Sequence, residues 1–316
     1  MMQKPQRIPN ETTVAVLMGG WSAERKVSMA SGEACFNALK RAGFNAIMVD
    51  VKRETISSVL LDMKPDVAFN ALHGKWGEDG CASALLETLQ IPYTHSGVLS
   101  SAIAMHKEKS KALFREAGIP VAESKLVDLE IAATSHPMAP PYVVKPVAEG
   151  SSVGVHIVDN TRNGPASIIL EQRAIFGDQV MVEKFIPGKE LTCAVMGDVA
   201  LGVIDIVPNI GFYDYEAKYA PGGSRHILPA EIPNEIYRKV QRYSLMAHQA
   251  LGCRGVSRSD FRYDDTVGQE PQVILLEINT QPGMTGTSLV PELAAHAGHS
   301  FEELVTWMVN DASIDR

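Results

Sequence analysis

The order of strand and helix signals constrains the fold of this chain most. In the first third, residues 13–18, 45–51 and 66–72 predict buried strands, while residues 81–89 and the segment before residue 43 predict helices. Ser22 or Ser28 is the expected N-cap of the first helix, and Gly43 is its expected stop. Strand–helix alternation with short connections is typical of a parallel sheet covered by helices, so we expect an α/β fold here.

The pattern changes after residue 105. Residues 106–118 predict a charged amphipathic helix, and residues 128–141, rich in Ala, Pro and Ser, predict an irregular connector. Further strands are predicted at 142–145, 154–158, 180–185, 191–196, 255–263 and 272–278, with a helix at about 233–251. Because several strands follow one another too closely for helical crossovers, part of this sheet should be antiparallel, giving an α+β organisation. Residues 208–225 lack a period, and a loop of this length predicts a functional lid.

Composition excludes several classes of function. The chain has 316 residues, which is enough for two or three packed units, and a formal net charge of -8, which does not favour nucleic acid or an anionic membrane as a partner. Four scattered cysteines, Cys35, Cys81, Cys193 and Cys253, predict reduced core residues. The polar first ten residues and the absence of a long apolar run favour a cytoplasmic protein.

Two segments near the end of the chain carry the strongest chemical signal. Arg258 and Asp260 are two residues apart, as are Glu277 and Asn279, and residues at i and i+2 of a strand share a face. If these strands pair, one face holds a cation, two carboxylates and an amide oxygen. Oxygen ligands suit magnesium, which also takes substrate phosphates. Surface charge is the alternative interpretation, but the run VILLEIN around Glu277 predicts a buried strand, where unpaired carboxylates are costly.

The segment YVVKPVAEGSSVG predicts a phosphate site. Lys145 ends an apolar strand, and the Gly/Ser turn after it can fold over phosphates with its main-chain N–H groups. Residues 150–154 also match G-x-S-x-G, the nucleophile elbow of hydrolases, with Ser152 as the nucleophile. That elbow requires a helix directly after the serine, whereas the alternation in VGVHIVDN predicts a hairpin.

Two strand ends in the first third carry polar residues. MGGWSAER could form a dinucleotide loop with Asp50 as the ribose acid, but G-x-G-x-x-G is absent, as is a P-loop motif anywhere in the chain. Glu24 could bind a substrate ammonium or only favour a helix N-terminus. His73, in ALHGKWGEDG, could be a polar ligand or a structural histidine.

With these residues in view, the chain resembles the D-alanine–D-alanine ligase family of the ATP-grasp superfamily. The resemblance runs from about residue 14 to 309 and rests on segments in the family's order: GGWSAER, ALHGKWGEDG, IPYTHSGVLSSA, VVKPVAEGSSVG, YDYEAKY, SRSDF and LEINTQPGMTGTSLVP. It implies a Rossmann-like substrate domain at 1–105, a central ATP-grasp subdomain at 106–190, and a C-terminal subdomain at 191–316 that carries the lid loop 208–225. It also implies ATP, two Mg²⁺ or Mn²⁺ ions, D-alanine and a homodimer.

The resemblance also implies roles for individual residues. Glu24 would hold the ammonium of the first D-alanine with His73 nearby, while Ser288 and Leu289 would take the carboxylate of the second. Arg258 and the Gly283 amide would form the oxyanion site, and Asp260, Glu277 and Asn279 would hold the two metal ions. Ser151 and Tyr219 would link two loops into a lid. The residues implied around ATP are Lys107, Lys145, Glu183, Lys184, Phe185, Ile186, Glu190 and Lys218.

Three positions depart from the family pattern, and other functions remain to be weighed. His106 stands where aspartate is frequent, Gln281 where a small residue is common, and Thr287 where histidine is common. Tyr219 resembles the dipeptide-forming members, which favours peptidoglycan precursor synthesis over a ligase that joins D-alanine to a D-hydroxy acid. A serine hydrolase using Ser152 and a silent nucleotide sensor are the alternatives from other classes.

Overall fold

The computed structural model describes residues 6–150, 153–159, 166–208, 223–266, 268 and 270–316. The strands are β1 (Thr13–Gly19), β2 (Asn45–Val51), β3 (Val67–Asn70), β4 (Ser124–Asp128), β5 (Tyr142–Pro146), β6 (His156–Val158), β7 (Gln179–Lys184), β8 (Lys189–Met196), β9 (Val199–Pro208), β10 (Ser224–Ile227), β11 (Val256–Asp264) and β12 (Gln272–Asn279). The α-helices are Arg25–Arg41, Ile56–Met63, Cys81–Thr88, Val98–Met105, Lys107–Glu116, Leu129–Thr134, Arg173–Phe176, Asn234–Ala250, Leu289–His296 and Phe301–Asp311.

The first sheet has the order β2-β1-β3 and is parallel, as predicted. The central strand β1 is almost wholly buried, because the side chains on both of its faces pack in the core. Its C-terminal end and that of β3 lie side by side, so the loops that follow, residues 19–24 and 71–80, meet at one edge of the sheet. Ligands of α/β proteins bind at such an edge.

The predicted start of the first helix was wrong. Glu24 is the N-cap residue of the helix Arg25–Arg41, rather than Ser22 or Ser28. The Ser22 hydroxyl accepts from the Glu24 N–H and donates to the His73 carbonyl, so it closes the turn before the helix. Ser28 lies inside the helix, where its buried hydroxyl accepts from the Gly19 N–H and donates to the Ala71 carbonyl. Both serines therefore hold the two strand-end loops together.

The second sheet has the order β4-β7-β5-β6, and every pair in it is antiparallel. Part of the expected connector at 128–141 is a helix, Leu129–Thr134, which packs on this sheet. The prediction was wrong because Leu129, Ala132 and Ala133 repeat at helical spacing and are buried, although the segment is rich in residues typical of loops.

The third sheet has the order β10-β9-β8-β11-β12 and is also antiparallel throughout. The helix Asn234–Ala250 covers one face through Val240, Tyr243 and Ala247. Strands β9 and β10 occupy both ends of the expected loop 208–225, so Pro208, Ser224 and Arg225 belong to strands; residues 209–222 lie outside the described residues. The predicted fold class is confirmed, with a parallel sheet first and antiparallel sheets after it.

Across the described residues, no helix is both long and apolar enough to traverse a lipid bilayer.

Candidate active site

Strands β11 and β12 pair as their polar residues predicted. Arg258 lies opposite Asn279, and Asp260 lies opposite Glu277. The register of this antiparallel pair shifts between Asp260 and Phe261, which marks an irregularity directly beside the acidic pair. The two strands therefore bring all four side chains to one end of the third sheet, and the apolar residues between them keep that sheet packed.

The Asp260 carboxylate accepts hydrogen bonds from three neighbouring side chains. It accepts two hydrogen bonds from Arg258, at 2.9 and 2.7 Å, and a third from the Thr192 hydroxyl at 2.7 Å. The Asn279 side chain lies 3.1 Å from the same carboxylate. Thr192 stands opposite Asp260 on β8 and was not predicted, because only the three-dimensional pairing of β8 with β11 places it there. These bonds fix the orientation of the carboxylate.

The residues present fit magnesium. Asp260, Glu277 and Asn279 supply oxygen atoms, which hard divalent cations prefer. The described residues contain no group of three or more His, Cys, Asp and Glu side chains that could hold a metal. A divalent ion here would therefore need further oxygens from a substrate, which is how magnesium binds beside phosphates.

A pocket beside this pair brings together the residues predicted around ATP that the structure describes. Its walls include Lys107, Lys145, Glu183, Lys184, Phe185, Ile186, Glu190, Asp260 and Glu277. The Lys107 ammonium lies 3.3 Å from a Glu277 oxygen and donates to the Glu149 carbonyl at 2.5 Å. One lysine thus connects the acidic pair to the glycine-rich turn.

A buried charge cluster closes the rear of the pocket. Glu183 receives hydrogen bonds from Lys145, at 2.7 Å, and from Lys111, and both Lys111 and Glu183 are almost fully buried. Burial opposes ionisation of Glu183, but the two lysines hold the pKa of its carboxyl below the usual range. Burial lowers the pKa of Lys111 to about 8, against the attraction of Glu183. Lys111 was not singled out in the sequence, although it lies four residues after Lys107 on the same helical face.

A second cleft of about 480 Å³ lies on the other side of the acidic pair. Its walls include Glu24, His73, Arg258, Glu277, Asn279, Gly283, Ser288 and Leu289. Glu277 lines both cleft and pocket, so the two spaces meet at this carboxylate. The residues predicted to hold amino acids therefore lie on one side of Glu277, and those predicted to hold the nucleotide lie on the other.

His73 is held from both ring nitrogens. Nδ1 lies 2.9 Å from the Glu78 carboxylate, and Nε2 lies 3.0 Å from the Ser31 hydroxyl. Neither Glu78 nor Ser31 was predicted. Glu78 follows His73 by five residues in the same loop. Ser31 is a buried serine on the inner face of a helix, and a serine at such a position is the signal that could have revealed its contact with His73.

The far wall of the cleft is a helix start. Ser288 is the N-cap residue of the helix Leu289–His296, and its hydroxyl accepts from the Thr285 N–H at 2.9 Å. A helix N-terminus presents main-chain donors and a partial positive charge, which suits a carboxylate. A Cβ at Gly283 would lie 3.0 Å from the Ser288 hydroxyl oxygen, so a larger residue there would crowd this wall.

The structure explains two of the three positions that depart from the family pattern. The His106 ring accepts from the Lys109 N–H at the start of the helix Lys107–Glu116, so it caps the helix as a carboxylate would. Gln281 is buried, accepts from the Asn70 amide at 2.7 Å and donates to the Leu72 carbonyl. It thereby connects the Gly283 loop to the end of β3. Thr287 is near Thr285, with 3.4 Å between their hydroxyls, and nothing further explains it.

Other predicted features fall elsewhere. Ser151, Ser152, Lys218 and Tyr219 lie outside the described residues. The segment after Ser152 leads into β6, which pairs with β5 as the predicted hairpin; the nucleophile elbow would need a helix there. Asp50 forms an exposed bidentate ion pair with Arg25, with both distances 2.8 Å, and neither residue lines the cleft.

Comparison with known proteins agrees with this arrangement. A family model described as the D-ala D-ala ligase C-terminus matches residues 113–310. The D-alanine–D-alanine ligase of Parvibaculum lavamentivorans is 61% identical to this chain, with 96% of this chain and 98% of that protein covered. The crystal structure of the Bacillus anthracis D-alanine–D-alanine ligase complexed with ATP superposes with a TM-score of 0.77 at 31% identity, covering 95% and 96% of the two chains.

A second similar structure is that of the VanG D-Ala:D-Ser ligase from Enterococcus faecalis, with a TM-score of 0.74 at 28% identity and coverage of 94% and 98%. The parallel-sheet domain, the two antiparallel sheets and the pocket between them define an ATP-grasp enzyme. Within that class, the chain belongs to the D-alanine–D-alanine ligase family.

Proposed function

We propose that this chain joins two D-alanine molecules into D-alanyl-D-alanine at the expense of ATP, in peptidoglycan precursor synthesis. The observation that carries the proposal is the shared position of Glu277, which lines both the nucleotide pocket and the amino-acid cleft. A reaction between a phosphate of ATP and a carboxylate requires the two substrates to meet at one point, and the two spaces meet there. The family relationship supports the same reaction.

The first step is the phosphorylation of a carboxylate. An oxygen of the first D-alanine carboxylate attacks the γ-phosphorus, the bond to the β-phosphate oxygen breaks, and ADP leaves. Like charges approach one another in this step, so cations must be in place beforehand. Lys107 and Lys145 supply two of them on the nucleotide side, and Arg258 supplies one on the amino-acid side. Magnesium held by Asp260, Glu277 and Asn279 would neutralise further phosphate charge.

The second step forms the peptide bond. The neutral amine of the second D-alanine attacks the carbonyl carbon of the acyl phosphate, and phosphate leaves as the tetrahedral oxyanion collapses, taking up the proton that the amine nitrogen loses. We assign stabilisation of that oxyanion to Arg258 and the Gly283 N–H. Glu24 and His73 would hold the first amino acid, while Ser288 and Leu289 at the helix start would hold the carboxylate of the second. Fixing both small substrates removes much of the entropic barrier.

The remaining roles follow the resemblance. Lys184, Phe185 and Ile186 would border adenine beside Glu183, and Glu190 would bind the ribose. Ser151, Lys218 and Tyr219 would belong to a lid that keeps water from the acyl phosphate. We propose the same domain division, 1–105, 106–190 and 191–316, together with a cytoplasmic location and a homodimer.

The test is phosphate release from ATP with a panel of D-alanine, L-alanine, D-serine and D-lactate, with the products identified by mass spectrometry. We expect D-alanyl-D-alanine as the main product and no release with L-alanine alone. A main product containing D-lactate would instead make the chain a depsipeptide ligase. Phosphate release that does not depend on any amino acid, or covalent labelling by a fluorophosphonate without ATP dependence, would refute a ligase.

A further inference from the structure

We propose that Arg262 is a positioning residue for the nucleotide, which holds the connection between β7 and β8 in the shape that receives adenine and ribose. This inference rests on the proposed ATP-dependent function and adds a residue to it. Arg262 was assigned no role from the sequence. It lies on β11, two residues after Asp260, and its side chain lines the nucleotide pocket.

The guanidinium of Arg262 binds this connection at two points and the start of β8 at a third. Nε donates to the Ile186 carbonyl at 3.0 Å, and Nη2 donates to the Gly188 carbonyl at 2.7 Å. Nη1 lies 3.3 Å from the Glu190 carboxylate, which stands directly opposite Arg262 in the pairing of β8 with β11. The guanidinium carbon also lies 5.9 Å from the centre of the Phe185 ring.

The connection is short, and its own residues leave it few ways to hold its shape. Between the end of β7 at Lys184 and the start of β8 at Lys189 stand four residues, Phe-Ile-Pro-Gly. Pro187 has no N–H to donate. Gly188 has a φ of +94°, and a Cβ there would collide with the Tyr263 main-chain oxygen, so the chain passes close to β11. Arg262 therefore binds two main-chain carbonyls in a segment whose own residues offer few hydrogen-bond donors.

Arginine is suited to this task and lysine is not. The guanidinium carries five donors in a rigid planar fork, which can serve two carbonyls and one carboxylate at the same time. A lysine would keep the positive charge beside Glu190 but would be a compact point charge without the fork. The contrast between the two side chains separates the positioning role from a general effect of charge.

The consequence for the nucleotide is local. Phe185, Ile186 and Glu190 line the pocket, and each of them contacts Arg262. Loss of the Arg262 bonds would loosen the groups proposed to bind base and ribose, while the groups proposed to bind phosphates and amino acids would stay in place. Binding of the nucleoside end should weaken, and binding of an inorganic polyphosphate should not.

The experiment compares R262M and R262K with R173M. Arg173 is a surface residue paired with Glu130 and Asp178, away from both spaces, so R173M is the matched control. Calorimetry would measure the affinity of the full chain for ADP, for 2′,3′-dideoxy-ADP and for pyrophosphate, and steady-state assays would give KM for ATP and for D-alanine. Thermal unfolding would monitor the fold of each variant.

We expect R262M to bind ADP about tenfold more weakly and to raise KM for ATP similarly, as loss of hydrogen bonds with a charged donor implies. Affinity for pyrophosphate and KM for D-alanine should stay within about twofold of wild type. The preference for ADP over its dideoxy analogue should fall, because Glu190 loses the guanidinium contact that positions its carboxylate. R262K should be intermediate, and R173M should match wild type.

Several results would overturn the inference: unchanged ADP affinity in R262M, equal losses for ADP and pyrophosphate, or R262K indistinguishable from wild type. Should R262M not fold, R262K alone carries the same comparison with R173M. ADP binding is measured without amino acids, so it is independent of the ligase reaction. If the wild-type chain binds ADP, R262M does not, and neither releases phosphate with D-alanine, the ligase function is refuted while the role of Arg262 stands.

Discussion

Asp260 and Glu277 lie directly opposite each other on the antiparallel strands β11 and β12. Each carboxylate has a nearby cation on a different side: Arg258 bonds Asp260 at 2.7 Å, and the Lys107 ammonium lies 3.3 Å from Glu277. The acidic pair thus stands between the amino-acid cleft and the nucleotide pocket. The following predictions test the pair and the contacts that support it.

Glu277→Gln should reduce kcat by more than about a hundredfold while leaving the fold intact, because the amide keeps the shape of the side chain but loses the charge proposed to bind metal. Phosphate release with ATP and D-alanine measures the effect, and thermal unfolding checks the fold. Glu116→Gln, at an exposed position of the helix Lys107–Glu116, is the control and should behave as wild type. Wild-type turnover in the Glu277 variant would refute the metal assignment.

Lys111→Met should lower the free energy of unfolding by about 3 kcal/mol, because it removes one of the two cations that hold the buried Glu183 carboxylate. Urea unfolding at pH 7 measures the change. Lys109→Met is the matched control, since Lys109 lies on the same helix but is exposed, and it should change stability by less than about 0.5 kcal/mol. Equal stability of the two variants would mean that Lys145 alone satisfies Glu183.

Stability should fall as the pH drops below 6.5, partly because of His248. Burial lowers the pKa of this histidine to about 4, against a usual value of 6.5, although a hydrogen bond with the Cys253 main chain and the charge of Asp311 raise the pKa and the charge of Arg254 lowers it further. The unfolded chain therefore takes up a proton between pH 6.5 and 4 that the folded chain does not. Stability from this group is present at neutral pH and is lost as the pH falls through that window.

His248→Gln tests this effect and can keep a polar contact with Ser257, whose hydroxyl lies 2.7 Å from the histidine. The loss of unfolding free energy between pH 7 and pH 5 should be smaller in this variant by about 2 kcal/mol. Urea unfolding at the two pH values gives the difference. The exposed His296→Gln is the control and should show the full wild-type loss; an identical loss in His248→Gln would contradict the assignment.

Gln281→Ala should raise KM for D-alanine by about threefold to tenfold and cost about 1–2 kcal/mol of stability, because a buried amide that bonds Asn70 and Leu72 is removed. Asn70 precedes the loop that carries His73, so the amino-acid cleft should loosen while KM for ATP stays the same. Steady-state kinetics and urea unfolding provide the two measurements. Gln249→Ala, at an exposed helical position, is the control. A change confined to KM for ATP would contradict this role.

Sequence patterns predicted the elements of the site well where the signal was local. The spacing of Arg258 and Asp260 and of Glu277 and Asn279 within apolar runs was sufficient to predict two strands that share a polar face, and the structure confirms that they pair. Strands β9 and β10 were not predicted, and the helix Leu129–Thr134 was taken for a connector. In the connector, the prediction followed the loop-like composition and missed a short helical repeat. That repeat can be recognised only once the sheet on which it packs is known.

The sequence alone determined the parallel first sheet, the acidic pair and the cationic strand end at Lys145, because side-chain period and burial depend on neighbours within a few residues. The tertiary structure alone decided which partners these groups have: Thr192 for Asp260, Lys111 for Glu183, Arg262 for the β7–β8 connection and Gln281 for Asn70. These contacts join segments between 68 and 211 residues apart. They depend on strand register and on packing between sheets, which no local pattern of residues encodes.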